Sequence, residues 1–158
     1  MIPISIPVKR HLNSQPIYHL IYLTRHAEGL WSFLDSLAMA RPDWLAAMPK
    51  DDDAAEQDLF SIAGIEIDSP SDLMRKQAQK EQLETIPILK KNILSVAESR
   101  GQFKLVDNIA ATFKGVTAIA AEKNVRAAIN ELIGERKILL VDKDKNAKIQ
   151  RNLYSLTD

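Results

Sequence analysis

The chain has three imidazoles, His11, His19 and His26, and no cysteine. Without thiols there is no disulfide, no thiol nucleophile and no cysteine-ligated zinc. A histidine zinc site would need carboxylates such as Glu28 or Asp35 to converge on His19 and His26. Those two histidines stand seven apart across a predicted strand–helix junction, not four apart on one helix. Arg25-His26 has the form of the pair that opens phosphohistidine-type phosphatases, but Glu28-Gly29-Leu30 is not the small polar context that follows it there, and no second histidine falls into place. Ser32 and Ser36 flank Asp35 with no activating base at a useful spacing. Asp51, Asp52, Asp53, Glu56 and Asp58 form an acidic run. A calcium loop needs ligands at fixed offsets around a central glycine, so the run reads as a solvated linker. Trp31 and Trp44 read as packing residues. The expectation is a non-catalytic protein with no metal and no cofactor.

A second set of residues suits recognition of double-stranded DNA: Thr117, Lys123, Asn124, Arg126, Asn130, Lys143, Lys145, Lys148 and Arg151. At 100° per residue, a helix over residues 121–136 centres its apolar stripe between Val125 and Leu132. Lys123, Ala127 and Asn130 then lie opposite, with Asn124 and Arg126 on the flanks. Asparagine can read adenine edges, and arginine can read guanine or hold phosphate. Thr117 precedes that helix, where a hydroxyl can bond a phosphate. Lys143, Lys145, Lys148 and Arg151 put cations on or beside the hairpin that follows. Glu122, Glu131, Asp142 and Asp144 dilute this charge, which leaves docking of a protein partner through the same surface as the alternative.

The elements that must position these residues follow from periodicity. Ile2, Ile4, Ile6 and Val8 alternate with Pro3, Ser5 and Pro7, a strand that prolines confine to an edge. Residues 17–23 are apolar or aromatic except for His19 and read as a buried strand. Thr24 can cap a helix from about His26, with Leu30, Phe33, Leu34 and Leu37 in helical spacing and Arg41-Pro42 at its end. A polar helix over 69–83 is predicted, with a thin face of Leu73, Met74, Ala78 and Leu83, and a module boundary near 84. Residues 86–99 form the next helix (Ile86, Leu89, Ile93, Val96, Ala97), closed by Gly101. The second helix of the C-terminal half covers 105–113, with Val106, Ile109, Ala110 and Phe113 inward. The helix over 121–136 carries Val125, Ala128, Ile129, Leu132 and Ile133. Strands over 138–141 and 147–154 enclose a polar turn, with Ile149 and Leu153 inward.

The predicted fold class is α+β and mostly helical: a C-terminal winged helix-turn-helix preceded by a strand–helix segment. The expected organisation is 1–48 for assembly, 49–83 as acidic linker and connecting helix, and 84–158 as the winged domain. The 158 residues allow one domain or two small ones. The formal charge is zero, yet residues 1–83 hold 8 Lys/Arg against 12 Asp/Glu and residues 84–158 hold 13 against 9, so the two ends suit different partners. No apolar run approaches the ~18 residues of a membrane span, and the N-terminus lacks the basic start and small-residue cleavage site of a signal peptide. A cytoplasmic location is expected.

Residues 124–141, NVRAAINELIGERKILLV, resemble the recognition-helix-to-wing passage of winged-helix regulators, with Gly134 a departure in the last turn. Residues 17–40, with Thr24, Arg25, His26 and Gly29, together with 84–154, resemble the C-terminal part of the three-Cys-motif partner proteins. In that bacterial family of mobile and defence-like gene neighbourhoods, a methyltransferase-like α/β domain precedes a winged helix. The resemblance implies a regulator or DNA-targeting subunit of such a system. No glycine-rich loop with an acidic residue ~20 positions on is present, so the family's cofactor-binding half has no counterpart here and its enzymatic role is not carried over. The two N-terminal strands make at most a ribbon, which is marginal alone. A homodimer through residues 1–45 is therefore expected, because edge strands pair with their like.

Overall fold

The computed structural model describes residues 2–9, 15–47, 69–143 and 148–157. The acidic run from Asp51 to Asp58, His11 and Lys145 lie outside the described residues. The fold is α+β and mostly helical. Strand β1 (Ile2–Val8) pairs antiparallel with β2 (Tyr18–Thr24) in a two-stranded ribbon, Ile4 facing Tyr22 and Ile6 facing Leu20. The ribbon leads into α1 (Ala27–Ala47). The Thr24 hydroxyl accepts from the His26 N–H at 3.0 Å, just ahead of the helix.

Residues 17–23 are not a buried strand. Ile17, Ile21 and Leu23 are 64, 62 and 56 % exposed, because among the described residues nothing covers that face of the ribbon. The other face meets α1, where Tyr22 stacks on Phe33 with ring centroids 4.0 Å apart.

Helix α1 does not stop at Pro42 but runs through it. Proline has no N–H for the carbonyl four residues back, here that of Ala38. Gln82 supplies the missing donor: its Nε2 bonds the Ala38 oxygen at 2.6 Å in a buried setting. A tertiary contact thus makes tolerable what local sequence disfavours.

The two helices expected on either side of residue 84 are one helix, α2 (Pro70–Arg100), which passes through Pro87. Ser69 caps it by accepting from the Asp72 N–H at 3.2 Å, and Gly101, at φ +71°, closes it. Its N-terminal half buries Ala78, Gln82 and Thr85 rather than Leu73 and Leu83, which are exposed. Its C-terminal half buries Leu89, Ile93, Val96 and Ala97 as the periodicity predicts, with Ile86 partly buried.

Strand β3 (Gln102–Lys104) follows, then a 3-10 turn (Leu105–Asn108) and the short helix α3 (Ile109–Thr112). Leu105, Ile109 and Phe113 are buried, Val106 partly, while Ala110 is exposed. Residues 113–119 turn the chain into α4 (Glu122–Gly134). Its stripe is rotated from the expected one: Val125, Ala128, Ile129 and Leu132 are buried, but Ile133 faces out and Asn124 faces in.

Strands β4 (Ile138–Asp142) and β5 (Leu153–Leu156) complete a three-stranded sheet of order β3-β5-β4, with both pairings antiparallel. The returning strand begins later than expected. Ile149–Arg151 form a 3-10 turn, and Tyr154 rather than Leu153 is the buried residue beside Ile149. One apolar core joins Leu30, Trp31 and Leu34 of α1 to residues of α2, α4 and the sheet. No helix among the described residues is long and apolar enough to cross a membrane.

Candidate nucleic-acid interface

Helix α4 begins at a junction of α1 and α2. The Asn124 side chain, 2 % exposed, accepts from the Ala121 N–H at 2.9 Å and donates to the Gln82 carbonyl at 3.0 Å. It closes one of the orphan donors at the helix start and is removed from any groove. The expectation that Asn124 reads bases is therefore corrected: it lies on the flank of the stripe that turns inward. Asp35 of α1 accepts from the Glu122 N–H at 2.7 Å, placing a carboxylate where the helix dipole favours one. Glu122 accepts from Trp31 Nε1 at 3.0 Å and from Arg126 at 2.8 Å. Trp31 itself is buried, edge-on to Phe113 with centroids 5.2 Å apart. Acidic side chains and α1 thus occupy the end of α4 that meets base edges in helix-turn-helix docking.

Further along α4, Lys123 and Asn130 are exposed. Arg126 is half exposed, with its charge matched by Glu122. Lys143 is exposed at the end of β4. Thr117 is exposed in the turn before α4, its hydroxyl donating to the Phe113 carbonyl at 3.0 Å. Arg151 forms an ion pair with Glu28 in the first turn of α1, and Lys148 lies 3.8 Å from the same carboxylate. Both stand in or just ahead of the 3-10 turn before β5, are partly exposed, and have their charge diluted by Glu28. Lys123, Arg126 and Asn130 share the solvent side of one helix. Thr117, Lys143, Lys148 and Arg151 come from four other places along the chain.

The residues considered for chemistry are dispersed. His19 Nδ1 is 3.0 Å from Ser5 Oγ, Ser36 donates to the Ser32 carbonyl at 2.9 Å, and Glu28 and Asp35 are engaged as above. Among the described residues no three His, Asp or Glu side chains are grouped to hold a metal.

Two features were not anticipated. Lys90 of α2 bridges to α4 through Glu131, at 2.9 Å, and Glu135. Glu135 also meets Lys137 at 2.8 Å. The Lys137 ammonium, and after it that of Lys90, hold the Glu135 carboxyl down at about 2 from its ordinary 4.5, while Glu135 and Glu131 raise Lys90. The acidic turn at the end of α4 is thereby neutralised from within. The second feature is a basic groove between α2 and α3, whose Lys91, Arg100 and Lys114 are separated in sequence and carry no motif. The only sign of them in the chain is the +4 balance of the C-terminal half. Neither the models of known protein families, nor the curated proteins, nor the solved structures compared with the chain match it.

Proposed function

We propose that the chain is a non-catalytic, nucleic-acid-binding protein of winged helix-turn-helix type that takes double-stranded DNA. What supports this is the strand order β3-β5-β4 around a helix, α4, whose outer face leaves Lys123, Arg126 and Asn130 in solvent directly ahead of a hairpin. In this reading α3, the turn at 113–119 and α4 are the helix-turn-helix, and β4 and β5 form the wing. The resemblance to the three-Cys-motif partner proteins adds the role of a regulator or DNA-targeting subunit in a bacterial mobile-element or defence-type system. Titrating duplex binding against salt tests the reading. Phosphate-driven binding weakens linearly in log–log form as salt rises, and no duplex binding at about 50 mM salt overturns it.

A specific observation favours a second reading, a scaffold that docks a partner protein through the same fold. Asp35 and Glu122 sit at the start of α4, where they repel phosphate, while β4 is an edge strand with Leu139, Leu140 and Val141 exposed. Duplex-independent capture of a protein partner that Leu140→Lys abolishes would support this alternative.

A further inference from the structure

Among the described residues, Lys91, Arg100 and Lys114 are cations without an ion pair, and all three line one groove. The groove runs between the C-terminal half of α2 and the end of α3, is open on one side and has a volume of about 850 Å³. Asn92, Ser95, Ser99 and Asn108 supply its other polar walls, and no acidic residue lines it. Glu98 stands on the same side of α2 by helical spacing but outside the lining. Glu84, a turn earlier, lies 3.9 Å from Lys80.

One side chain fastens the two walls of the groove to each other. Asn92 Nδ2 donates to the Thr112 carbonyl at 3.0 Å and to the Lys114 carbonyl at 2.9 Å. The chain after α3 is thus fastened to α2, and Gly115, at φ +79°, turns it away beyond the fastening. The Lys114 backbone is thereby fixed beside Asn92, in the same groove lining as Lys91.

Lys91 and Arg100 are nine residues apart on one helix, about 13 Å along its axis and about half a turn around it, so they flank the groove from its two sides. A small anion would meet one of them and leave the others unmatched. A duplex carries about one negative charge per 1.7 Å and matches the whole length. The lining contains no aromatic ring, so it offers no platform for an unpaired base. Its concavity suits a rod better than a flat anionic lipid surface.

We propose that this groove holds the phosphate backbone of duplex nucleic acid without reading its sequence. The proposal rests on the nucleic-acid reading above and moves the main phosphate contacts from the wing, where Glu28 offsets part of the charge of Lys148 and Arg151, to α2 and α3.

The test uses fluorescence anisotropy of the full chain with a labelled duplex across about 50–200 mM salt. The variant Lys91→Ala/Arg100→Ala/Lys114→Ala is expected to lose about tenfold or more in affinity at the low-salt end, with the log–log salt slope flattened by about 2.7. The charge-keeping variant Lys91→Arg/Lys114→Arg retains the slope and guards against a folding artefact, as does an unchanged circular-dichroism melt. Wild-type affinity and slope in the triple alanine variant, with loss instead in Lys123→Ala/Arg126→Ala/Lys143→Ala, overturns the groove and leaves the nucleic-acid reading standing. Absence of wild-type duplex binding overturns both. Binding to phosphatidylserine vesicles but not to duplex, lost in the triple alanine variant, overturns the duplex assignment in favour of a membrane.

Discussion

The Asn124 side chain is held between the Ala121 N–H, at the start of α4, and the Gln82 carbonyl in the middle of α2. Gln82 in turn reaches the Ala38 carbonyl that Pro42 leaves without a donor. Three helices are therefore joined by one run of buried amide contacts, where an unsatisfied group costs about 1–3 kcal/mol. Asn124→Ala is expected to lower unfolding stability by about that amount in urea titration and to leave duplex affinity and sequence preference at the wild-type level. A residue reading adenine would behave the other way, losing about 1–3 kcal/mol of discrimination with little change in stability. The position three residues after Ala121 was the available hint, since a polar side chain there can reach back to the helix start. Helical spacing put Asn124 on the flank of the stripe, and only the placement of α2 decides which flank turns inward. Arg151 and Lys148 carried no such hint, because their partner Glu28 lies more than a hundred residues away in the chain.

At the scale of elements, α4 is fastened to α2 at its C-terminal end by Lys90 through Glu131 and Glu135, and Lys137 pairs locally with Glu135. The folded Glu135 carboxyl titrates at about 2 against 4.5 for the free group, with Lys137 the larger cause and Lys90 the second. A lowered carboxylate pKa adds stability that is fully present above the unfolded value and is lost as pH falls through the folded one. Wild-type protein is therefore expected to melt above Glu135→Gln at neutral pH, and the two melting temperatures should converge between pH 4.5 and about 2. A gap that stays constant over that window removes Glu135 from the acid response. The apolar spacing of α4, the run opening β4 and the start of α1 were legible in the chain because each is local. The continuity of α1 through Pro42 and of α2 through residue 84 was not. In α1 that continuity depends on a donor from another helix. In α2 one stripe at helical spacing, from Ala78 through Gln82, Thr85, Leu89 and Ile93 to Val96, stays buried throughout, but its first half is polar and gives no apolar signal. The lateness of β5 escaped for a similar reason: Ile149 fills the core from a 3-10 turn, as an inward strand residue would.

For the whole molecule, the ribbon face left uncovered among the described residues is the feature that calls for a second chain. Its two edges differ. Proline cannot donate to a ladder, so Pro3 and Pro7 must stand where the N–H position points away from β2, and the outer edge of β1 lacks those two donors. The alternation that places them there turns His19, Ile21 and Leu23 of β2 outward with their N–H groups intact. Strand β2 itself carries no Asp, Glu, Lys or Arg, and Ile21 and Leu23 are mostly exposed. An uncharged, apolar strand is complementary to its own antiparallel copy, and a twofold axis brings the two together with every contact made twice. We therefore propose a homodimer through residues 1–45, formed by β2 against β2 of the second copy in a four-stranded sheet, with α1 of each copy against its own ribbon. Light scattering at micromolar concentration is expected to give the dimer mass. Ile21→Lys, which puts two like charges side by side at the axis, should give a monomer whose far-ultraviolet circular dichroism keeps the helical signal. A wild-type monomer at that concentration with the ribbon still paired, or an Ile21→Lys variant that stays dimeric, refutes pairing through β2.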